Sequence, residues 1–313
     1  MICQTGFRHT IHFAACSANL SRRSFSGAFW RGSSLSKSRL KARVVAIDGK
    51  ALRGTFERTT NKLALRMVSA WATRNSLVLG QVKTQEKSNE ITAIPRLLSI
   101  LEIEGCIVTI DAMGCQKDIV EQIVEQKADY CISLKGNQGR LHEEVREYFE
   151  WARANDFKGL ESSYAESVEK DHGRIETRKC WSVSDIEWLN DKEEWSGLRS
   201  ICAVEAERIE LTTKKQSIET RYFISSLASD AQALMRAVRK HWGIENSLHW
   251  VLDVAFREDQ CQIRKDHGAE NFAMLRHIAV NLLKREKTAK VGVKIKRNKA
   301  GWDTNYLLKV LTG

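Results

Sequence analysis

The stretch Val44-Val45-Ala46-Ile47-Asp48-Gly49-Lys50 decides the fold. Four consecutive apolar residues stop at an acid and a glycine, which is the pattern of a buried strand that ends in a turn. The run Ile107-Val108-Thr109-Ile110 repeats this pattern and stops at Asp111. Both carboxylates are therefore expected at strand ends, where a desolvated acid is costly unless it is paired, hydrogen-bonded or bound to metal. For either acid alone, a turn or helix-capping aspartate is the alternative.

The segments around these two strands predict an α/β fold. Residues 63–71 and 76–82 favour two strands joined as a hairpin. Helical spacing follows Ser88-Asn89-Glu90 and returns in residues 115–127, and residues 130–134 favour another strand. Together these elements predict a mixed sheet with flanking helices.

The organisation of the chain follows from changes in these patterns. Five regions are expected: an irregular basic segment 1–43, the first part of a catalytic core 44–140, a β-rich insertion 141–228, a helical part of the core 229–285 and a basic tail 286–313. Within the insertion, β-favouring segments alternate with polar turns, whereas apolar residues after position 229 recur at helical steps.

Composition excludes several classes of protein. The chain has 313 residues, of which 42% are apolar and 28% charged, so it is neither collagen-like nor wholly disordered. No apolar run approaches the roughly 18 to 20 residues that span a bilayer, which predicts a cytoplasmic protein with no membrane partner. The 8 cysteines show no CxxC pair or zinc-type spacing, which predicts reduced thiols. An organellar transit peptide is the minority interpretation of the Arg- and Ser-rich start.

The formal charge of +11 is concentrated at the two ends of the chain. The first 47 residues carry eight basic side chains and no acid, and a second basic cluster runs from Lys284 to Lys299. Such clusters are expected of a protein that binds a polyanion. For either cluster alone, a solvated tail is the simpler interpretation.

A third acid, Glu245, lies on a predicted helix. It belongs to an apolar stripe at steps of three or four residues, made of Leu234, Val238, Trp242, Glu245 and His249. An acid at the edge of the stripe that reaches solvent is the alternative. With Asp48 and Asp111, it would form an oxygen-ligand site for hard cations such as Mg²⁺. Competitors for the third position are Asp253, Glu258 and Asp259.

Several long motifs point to one family. They include Ala46-Ile47-Asp48-Gly49-Lys50, Glu86-Lys87-Ser88-Asn89-Glu90-Ile91, Thr109-Ile110-Asp111-Ala112-Met113-Gly114-Cys115-Gln116, Leu134-Lys135-Gly136-Asn137-Gln138, Asp171-His172-Gly173-Arg174-Ile175-Glu176 and His241-Trp242-Gly243-Ile244-Glu245-Asn246. In this order they resemble the H-repeat-associated (ISAs-type) transposases, which are DDE insertion-sequence transposases. The resemblance extends from about Val44 to Leu311.

The resemblance implies an RNase H-like mixed sheet that is interrupted by a β-rich insertion domain. It also implies that Asp48, Asp111 and Glu245 are the catalytic residues and bind two Mg²⁺ or Mn²⁺ ions. Water would cut one DNA strand, and the freed 3′ hydroxyl would attack target DNA. A homodimer on DNA and a nucleoid location follow from the same resemblance.

Seven further residues are candidates for DNA contact: Lys135, Asn137, Gln138, Arg174, Arg239, His241 and Asn246. For residues 135–138 a plain polar turn is an equal alternative. Related transposases place a Tyr, an Arg and a Lys around the glutamate, whereas His241 and Leu252 occupy the Arg-like and Lys-like offsets here. Family members also carry a long helical region before the first aspartate, so a truncated start is expected.

Two other functions remain open. A metal-dependent nuclease would share the core but cut DNA without strand transfer. A non-catalytic DNA-binding remnant would keep the carboxylates without a working site.

Overall fold

The structure is a computed structural model that describes residues 44–56, 63–84, 90–171 and 173–312. Its strands are β1 Val44–Leu52, β2 Leu65–Ala72, β3 Leu77–Lys83, β4 Ile107–Ile110, β5 Asp129–Leu134, β6 Ser162–Asp171, β7 Arg174–Val183, β8 Ser200–Glu210 and β9 Gln216–Ser225. The predicted basic segment 1–43 and the predicted helix start at Ser88 and Asn89 lie outside the described residues.

The helices of the described residues complete the list of elements. They are α1 Glu90–Leu98, α2 Lys117–Glu125, α3 Gly139–Ala154, α4 Ala231–His241, α5 Trp250–Phe256, α6 Gly268–Arg285, α7 Val293–Trp302 and α8 Thr304–Thr312. A π-helical segment, Glu245–His249, directly precedes α5. Within the part of the chain that the structure describes, no helix is long and apolar enough to cross a membrane.

The chain divides into two compact units. Among the described residues, the first contains those within 48–101 and 243–312, and the second contains those within 44–47 and 102–242. Strand β1 therefore contributes its first four described residues to the second unit and its remainder to the first. The five regions proposed from the sequence have other boundaries and stay a prediction.

The second unit is built on a mixed sheet. Strand β4 lies parallel to both β1 and β5, with Ile47 opposite Ile110 and Ile110 opposite Ile132. The first residues of β1 are fully apolar and at most 4% exposed, as expected of a parallel strand covered on both faces. Strand β9 continues the sheet antiparallel to β5, and β8, β7 and β6 follow antiparallel. The predicted mixed α/β sheet is confirmed, and the β-rich residues extend it.

Helix α4 covers one face of this sheet. Its apolar side chains Leu234, Met235 and Val238 pack in a buried cluster with Cys131, Cys180 and Cys202 from three strands. All six cysteines that the structure describes are free thiols, and these three fill the core as small apolar side chains.

The first unit contains the hairpin of β2 and β3 and the long helix α6. The hairpin is antiparallel, from Met67 opposite Lys83 to Ala72 opposite Leu77. The side chain of Asn281 on α6 accepts a hydrogen bond from the Val78 N–H and donates one to the Val78 carbonyl, both at 2.8 Å. These paired bonds fix α6 to the β3 edge of the hairpin.

The residues expected to form a basic tail instead fold into helices α7 and α8. Tyr306 and Val310 of α8 are one turn apart and pack against Leu283 of α6. Lys296 of α7 is only 7% exposed, and its ammonium donates to the Leu283 carbonyl at 3.1 Å. The tail was expected because lysines and arginines separate the few apolar residues of this region and hide their helical spacing.

His277 of α6 predicts how stability depends on pH. The ring is 3% exposed, and its Nδ1 has no hydrogen-bond partner among the described residues. Burial, together with the charges of His249, Arg276 and Lys50, lowers the pKa of His277 from 6.5 to about 3. The unfolded chain therefore binds the extra proton, and stability is lost as the pH falls below about 6.5.

We expect the free energy of unfolding to fall by up to about 1.4 kcal/mol per pH unit from this residue between pH 6 and pH 4. Urea unfolding at several pH values measures the slope. In His277→Gln the dependence of the unfolding free energy on pH should become shallower. The control is His267→Gln, which should keep the wild-type slope because the His267 side chain is 54% exposed. Equal slopes in wild type and His277→Gln would contradict the prediction.

Candidate active site

Asp48 lies within β1, directly after the four apolar residues with which the strand begins. Its side chain is 17% exposed, and its Oδ1 accepts a hydrogen bond of 2.8 Å from the Gly49 N–H. Its Oδ2 lies 3.5 Å from Nδ1 of His249. The carboxylate therefore has one oxygen fixed by the backbone and the other facing a histidine ring.

Glu90 is a second acid beside Asp48. The two side chains each offer a carboxylate oxygen, and these oxygens lie within 4.8 Å of one another. Glu90 begins α1 and is 7% exposed, and its carboxylate pairs with the Arg66 guanidinium at 3.3 Å. Two carboxylates at this distance repel each other, and the Arg66 guanidinium offsets part of that repulsion.

Gly49 makes the approach of Glu90 possible. A β-carbon at this position would overlap the Glu90 carboxylate, so only glycine leaves room for it. Glu90 was absent from the predicted site because an acid at the start of a helix looks like a capping residue. The available signal was its place in the motif Glu86-Lys87-Ser88-Asn89-Glu90-Ile91, which extends beyond the residues that a helix start requires.

Glu245 does not lie on a buried stripe as predicted. Glu245 is exposed, and Trp242 is 40% exposed. Helix α4 ends at His241, and the π-helical segment that starts at Glu245 changes the angular spacing of the side chains that follow. The predicted stripe therefore holds at Leu234 and Val238 but not beyond the end of α4. Among the described residues, the carboxylate that joins Asp48 within its own unit is Glu90.

The three competitors for the third acid are all engaged by basic side chains. Lys50 lies 2.8 Å from Asp253, 2.9 Å from Asp259 and 3.7 Å from Glu258. Arg276 lies 3.5 Å from the other oxygen of Glu258. Burial raises the pKa of Glu258, which is 2% exposed. These contacts make the cluster a buried ion-pair network rather than a set of open metal ligands.

Lys50 stays charged in this network. Burial alone would lower its pKa, but the hydrogen bonds to Asp253 and Asp259 and the charge of Glu258 raise it above 10.5. Lys50 directly follows Gly49 on β1, so the network fixes the strand two residues beyond Asp48.

Asp111 occupies a well-braced turn in the second unit. It follows β4, and its Oδ1 accepts from the N–H groups of Met113 and Gly114 at 3.2 and 3.4 Å. Asn137 donates to the Ala112 carbonyl at 2.7 Å, and Gln138 donates to the Cys115 carbonyl at 2.7 Å. Asn137 and Gln138, which were candidates for DNA contact, therefore brace the turn that holds Asp111.

Replacing Asn137 by alanine should loosen this turn. One hydrogen bond of this kind contributes about 1 kcal/mol, so the Met113 and Gly114 amides should exchange hydrogen several-fold faster in Asn137→Ala. Amide exchange followed by NMR or mass spectrometry measures this change. Asn155→Ala is the matched control, because Asn155 donates to a helix-end carbonyl, that of Trp151. Equal exchange in the two variants would contradict the bracing role.

His241 lies close to Asp111 in the same unit. Its Nδ1 is 3.1 Å from Thr109 Oγ1 on β4. Burial lowers the pKa of His241, although the charge of Asp111 acts in the opposite direction. The ring is therefore neutral at physiological pH, and it contacts the sheet instead of presenting a charge to phosphate.

The other candidates for DNA contact differ in their surroundings. Arg239 is paired with Glu169, and Arg174 lies 4.0 Å from Glu176. Lys135 and Asn246 are exposed. Of these four, Lys135 and Asn246 remain the most accessible to a ligand, and Arg239 is the most engaged within the protein.

The donor set at Asp48 fits a hard divalent cation. It consists of carboxylate oxygens, which are the ligands that Mg²⁺ and Mn²⁺ prefer, and it contains no thiolate. A bound cation would also offset the repulsion between Asp48 and Glu90.

Comparisons with known proteins agree with this chemistry. The family described as "Transposase DDE domain" matches residues 39–282. The chain is 46% identical over 274 residues to "Putative protein YbfL" and to "H repeat-associated putative transposase YhhI", both of Escherichia coli K12, with 86% of this chain and 71% of each relative covered. It is 45% identical over 271 residues to "Putative transposase YncI" of Escherichia coli O157:H7, with 86% and 68% covered.

Proposed function

Because the chain belongs to the H-repeat-associated DDE transposases, we propose that it cuts DNA at the ends of an insertion sequence and joins the freed 3′ ends to target DNA. The observation that carries this proposal is the approach of Asp48 and Glu90, two nearly buried carboxylates with oxygens within 4.8 Å. An acidic pair of this kind suits a divalent cation, which a nuclease or a transposase needs for phosphoryl transfer.

The proposed catalytic residues are Asp48, Asp111 and Glu245. Ile47 and Ile110 are partners in the parallel register of β1 and β4, and each directly precedes one of the two aspartates. Glu245 starts the π-helical segment that ends at His249, and His249 contacts Asp48. These relations support the family assignment of the three acids, and Glu90 is the rival for the third position.

Each acid has a defined task in this proposal. Two divalent cations, when bound, would supply the positive charge that phosphoryl transfer requires. Asp48 would present Oδ2 to a cation while the Gly49 N–H holds Oδ1. Asp111 would be oriented by the Met113 and Gly114 N–H groups, which donate hydrogen bonds to its Oδ1. Glu245, which is exposed, would reach a cation only with DNA bound.

The basic residues near the carboxyl end support DNA as the partner. Those that are exposed are Arg285, Lys287, Lys290, Lys294 and Lys299. Exposed Lys and Arg side chains neutralise phosphates and release counterions, so binding through them weakens steeply with salt. A homodimer on paired DNA ends and a nucleoid location are parts of the same proposal and follow from the family.

The test is a strand-joining assay. Purified full-length protein is incubated with DNA that carries the element's ends, together with Mg²⁺ or Mn²⁺. We expect products in which an element end is covalently joined to target DNA. Nicks without joined products would favour the metal-dependent nuclease, and binding without any cleavage would favour the non-catalytic remnant.

A further inference from the structure

The π-helical segment Glu245–His249 is an unusual element beside Asp48. The Trp250 N–H bonds to the Glu245 carbonyl, five residues earlier, instead of the usual four. Such segments are rare, and they are frequent at functional sites because the extra residue re-aims the side chains. Here His249, the last residue of the segment, lies against Asp48.

The segment is anchored independently of Asp48. The Lys284 ammonium on α6 donates a hydrogen bond of 2.9 Å to the Ser247 carbonyl in the middle of the segment. The same ammonium lies 4.5 Å from the centre of the Trp71 ring, and burial lowers the pKa of Lys284 to about 8. These contacts hold the backbone that carries His249 against the hairpin and α6.

His249 faces Oδ2 of Asp48, whereas Oδ1 accepts from the Gly49 N–H. The Nδ1 to Oδ2 distance is 3.5 Å, and the side chains of His249 and Asp48 are 13% and 17% exposed. A ligating carboxylate needs its own partner to hold its orientation, and loss of such a partner typically weakens metal binding about 10- to 100-fold.

We propose that His249 is a positioning residue for Asp48, which orients the carboxylate through Nδ1 so that it can bind a divalent cation. The inference rests on the proposed function, since it takes Asp48 as a metal ligand. It assigns a role to a residue outside the three acids of the family. The histidine acts through Asp48 and needs no contact with DNA or with the reacting phosphate.

The test measures metal binding directly, without catalysis. Mn²⁺ is titrated into full-length protein in the absence of DNA, and free Mn²⁺ is followed by electron paramagnetic resonance. His249→Asn keeps a nitrogen donor near the position of Nδ1, whereas His249→Gln carries its donor one bond further out and His249→Leu removes it. His267→Asn, at a histidine with a 54% exposed side chain, is the control.

We expect His249→Leu and His249→Gln to bind Mn²⁺ about 10- to 100-fold more weakly, and His249→Asn to recover most of the affinity. A purely structural role would lower the melting temperature without this difference between Asn and Gln. Equal Mn²⁺ affinity in wild type, His249→Asn and His249→Gln would overturn the inference, even if His249→Leu fails to fold.

Asp48→Asn separates this inference from the proposed function. If Asp48→Asn loses Mn²⁺ binding while the His249 variants keep it, only the positioning role fails. If Asp48→Asn binds Mn²⁺ like the wild type, Asp48 is not a ligand, and the proposed function fails with it.

Discussion

Replacing Asp48 by asparagine is expected to reduce DNA cleavage at least about a hundredfold, which is the scale on which loss of a single charge-stabilising group acts. The amide has nearly the shape of the carboxylate and still offers an oxygen to the Gly49 N–H, so β1 should keep its structure. The negative charge is lost, and with it the attraction for a divalent cation. DNA binding should change little, because the exposed basic residues are untouched.

Cleavage of labelled DNA bearing the element's ends measures the first effect, and fluorescence anisotropy with EDTA present measures DNA binding. The matched control is Glu193→Gln, since the Glu193 side chain is 94% exposed. Full cleavage by Asp48→Asn would exclude Asp48 from the catalytic site.

The same cleavage assay tests which residue is the third catalytic acid. Glu245→Gln and Glu90→Gln remove one charge each, from an exposed and a nearly buried carboxylate. Loss of cleavage in Glu245→Gln alone would assign the third position to Glu245 as proposed. Loss in Glu90→Gln alone would assign it to Glu90, and loss in both would indicate a site that uses four carboxylates.

Replacing Lys50 by leucine is expected to have the largest effect on stability. Lys50 is surrounded by Asp253, Glu258 and Asp259, and its side chain is only 10% exposed. Removal of one partner of a fully buried ion pair typically costs about 3–5 kcal/mol. The cost should be lower here, because Asp253 and Asp259 are 37% and 27% exposed and Glu258 keeps Arg276 as a partner. The free energy of unfolding, measured with urea at pH 7, should fall by about 1–3 kcal/mol.

Arg140→Leu provides the comparison for Lys50→Leu. Arg140 pairs with Glu144 one helical turn away, and the Arg140 side chain is 60% exposed. Exposed pairs of this kind contribute about 0–1 kcal/mol. If Lys50→Leu destabilises the protein no more than Arg140→Leu does, the ion pairs between Lys50 and its three acids do not stabilise the fold.

Local patterns in the sequence were sufficient for the strands that carry the two aspartates. The runs before Asp48 and Asp111 are short, apolar except for Thr109, and stop at an acid, so consecutive residues indicate both their burial and their ends. The strands β1 and β4 follow from these runs, and so does the mixed sheet that they form with β5.

Contacts between distant residues could not be predicted in this way. Glu90 is 42 residues from Asp48, and helical spacing alone does not distinguish a capping acid from an acid that faces another carboxylate. Lys50 pairs with Asp253 and Asp259, which lie 203 and 209 residues further along the chain. Local spacing does not predict these contacts either. Only the fold brings these side chains together.

The prediction that Glu245 lies on a buried stripe was wrong for a different reason. A regular helix has a fixed angular step, and the stripe from Leu234 onward was extended with that step. The helix ends at His241, before Glu245, and the π-helical segment Glu245–His249 then changes the step for the residues that follow. No residue type in these segments indicates either change. The role of Glu245 therefore stays a prediction, and its exposed position makes the comparison with Glu90 decisive.

The two hydrogen bonds between Asn281 and Val78 also occupy part of a sheet edge. Among the described strands, in the order β3-β2-β1, β3 is the last on its side, and the open edge of a sheet can recruit a strand from another molecule. At Val78 the amide of Asn281 already occupies both the donor and the acceptor that such a strand would need. At this residue a single side chain thus makes the hydrogen bonds that a neighbouring strand would make.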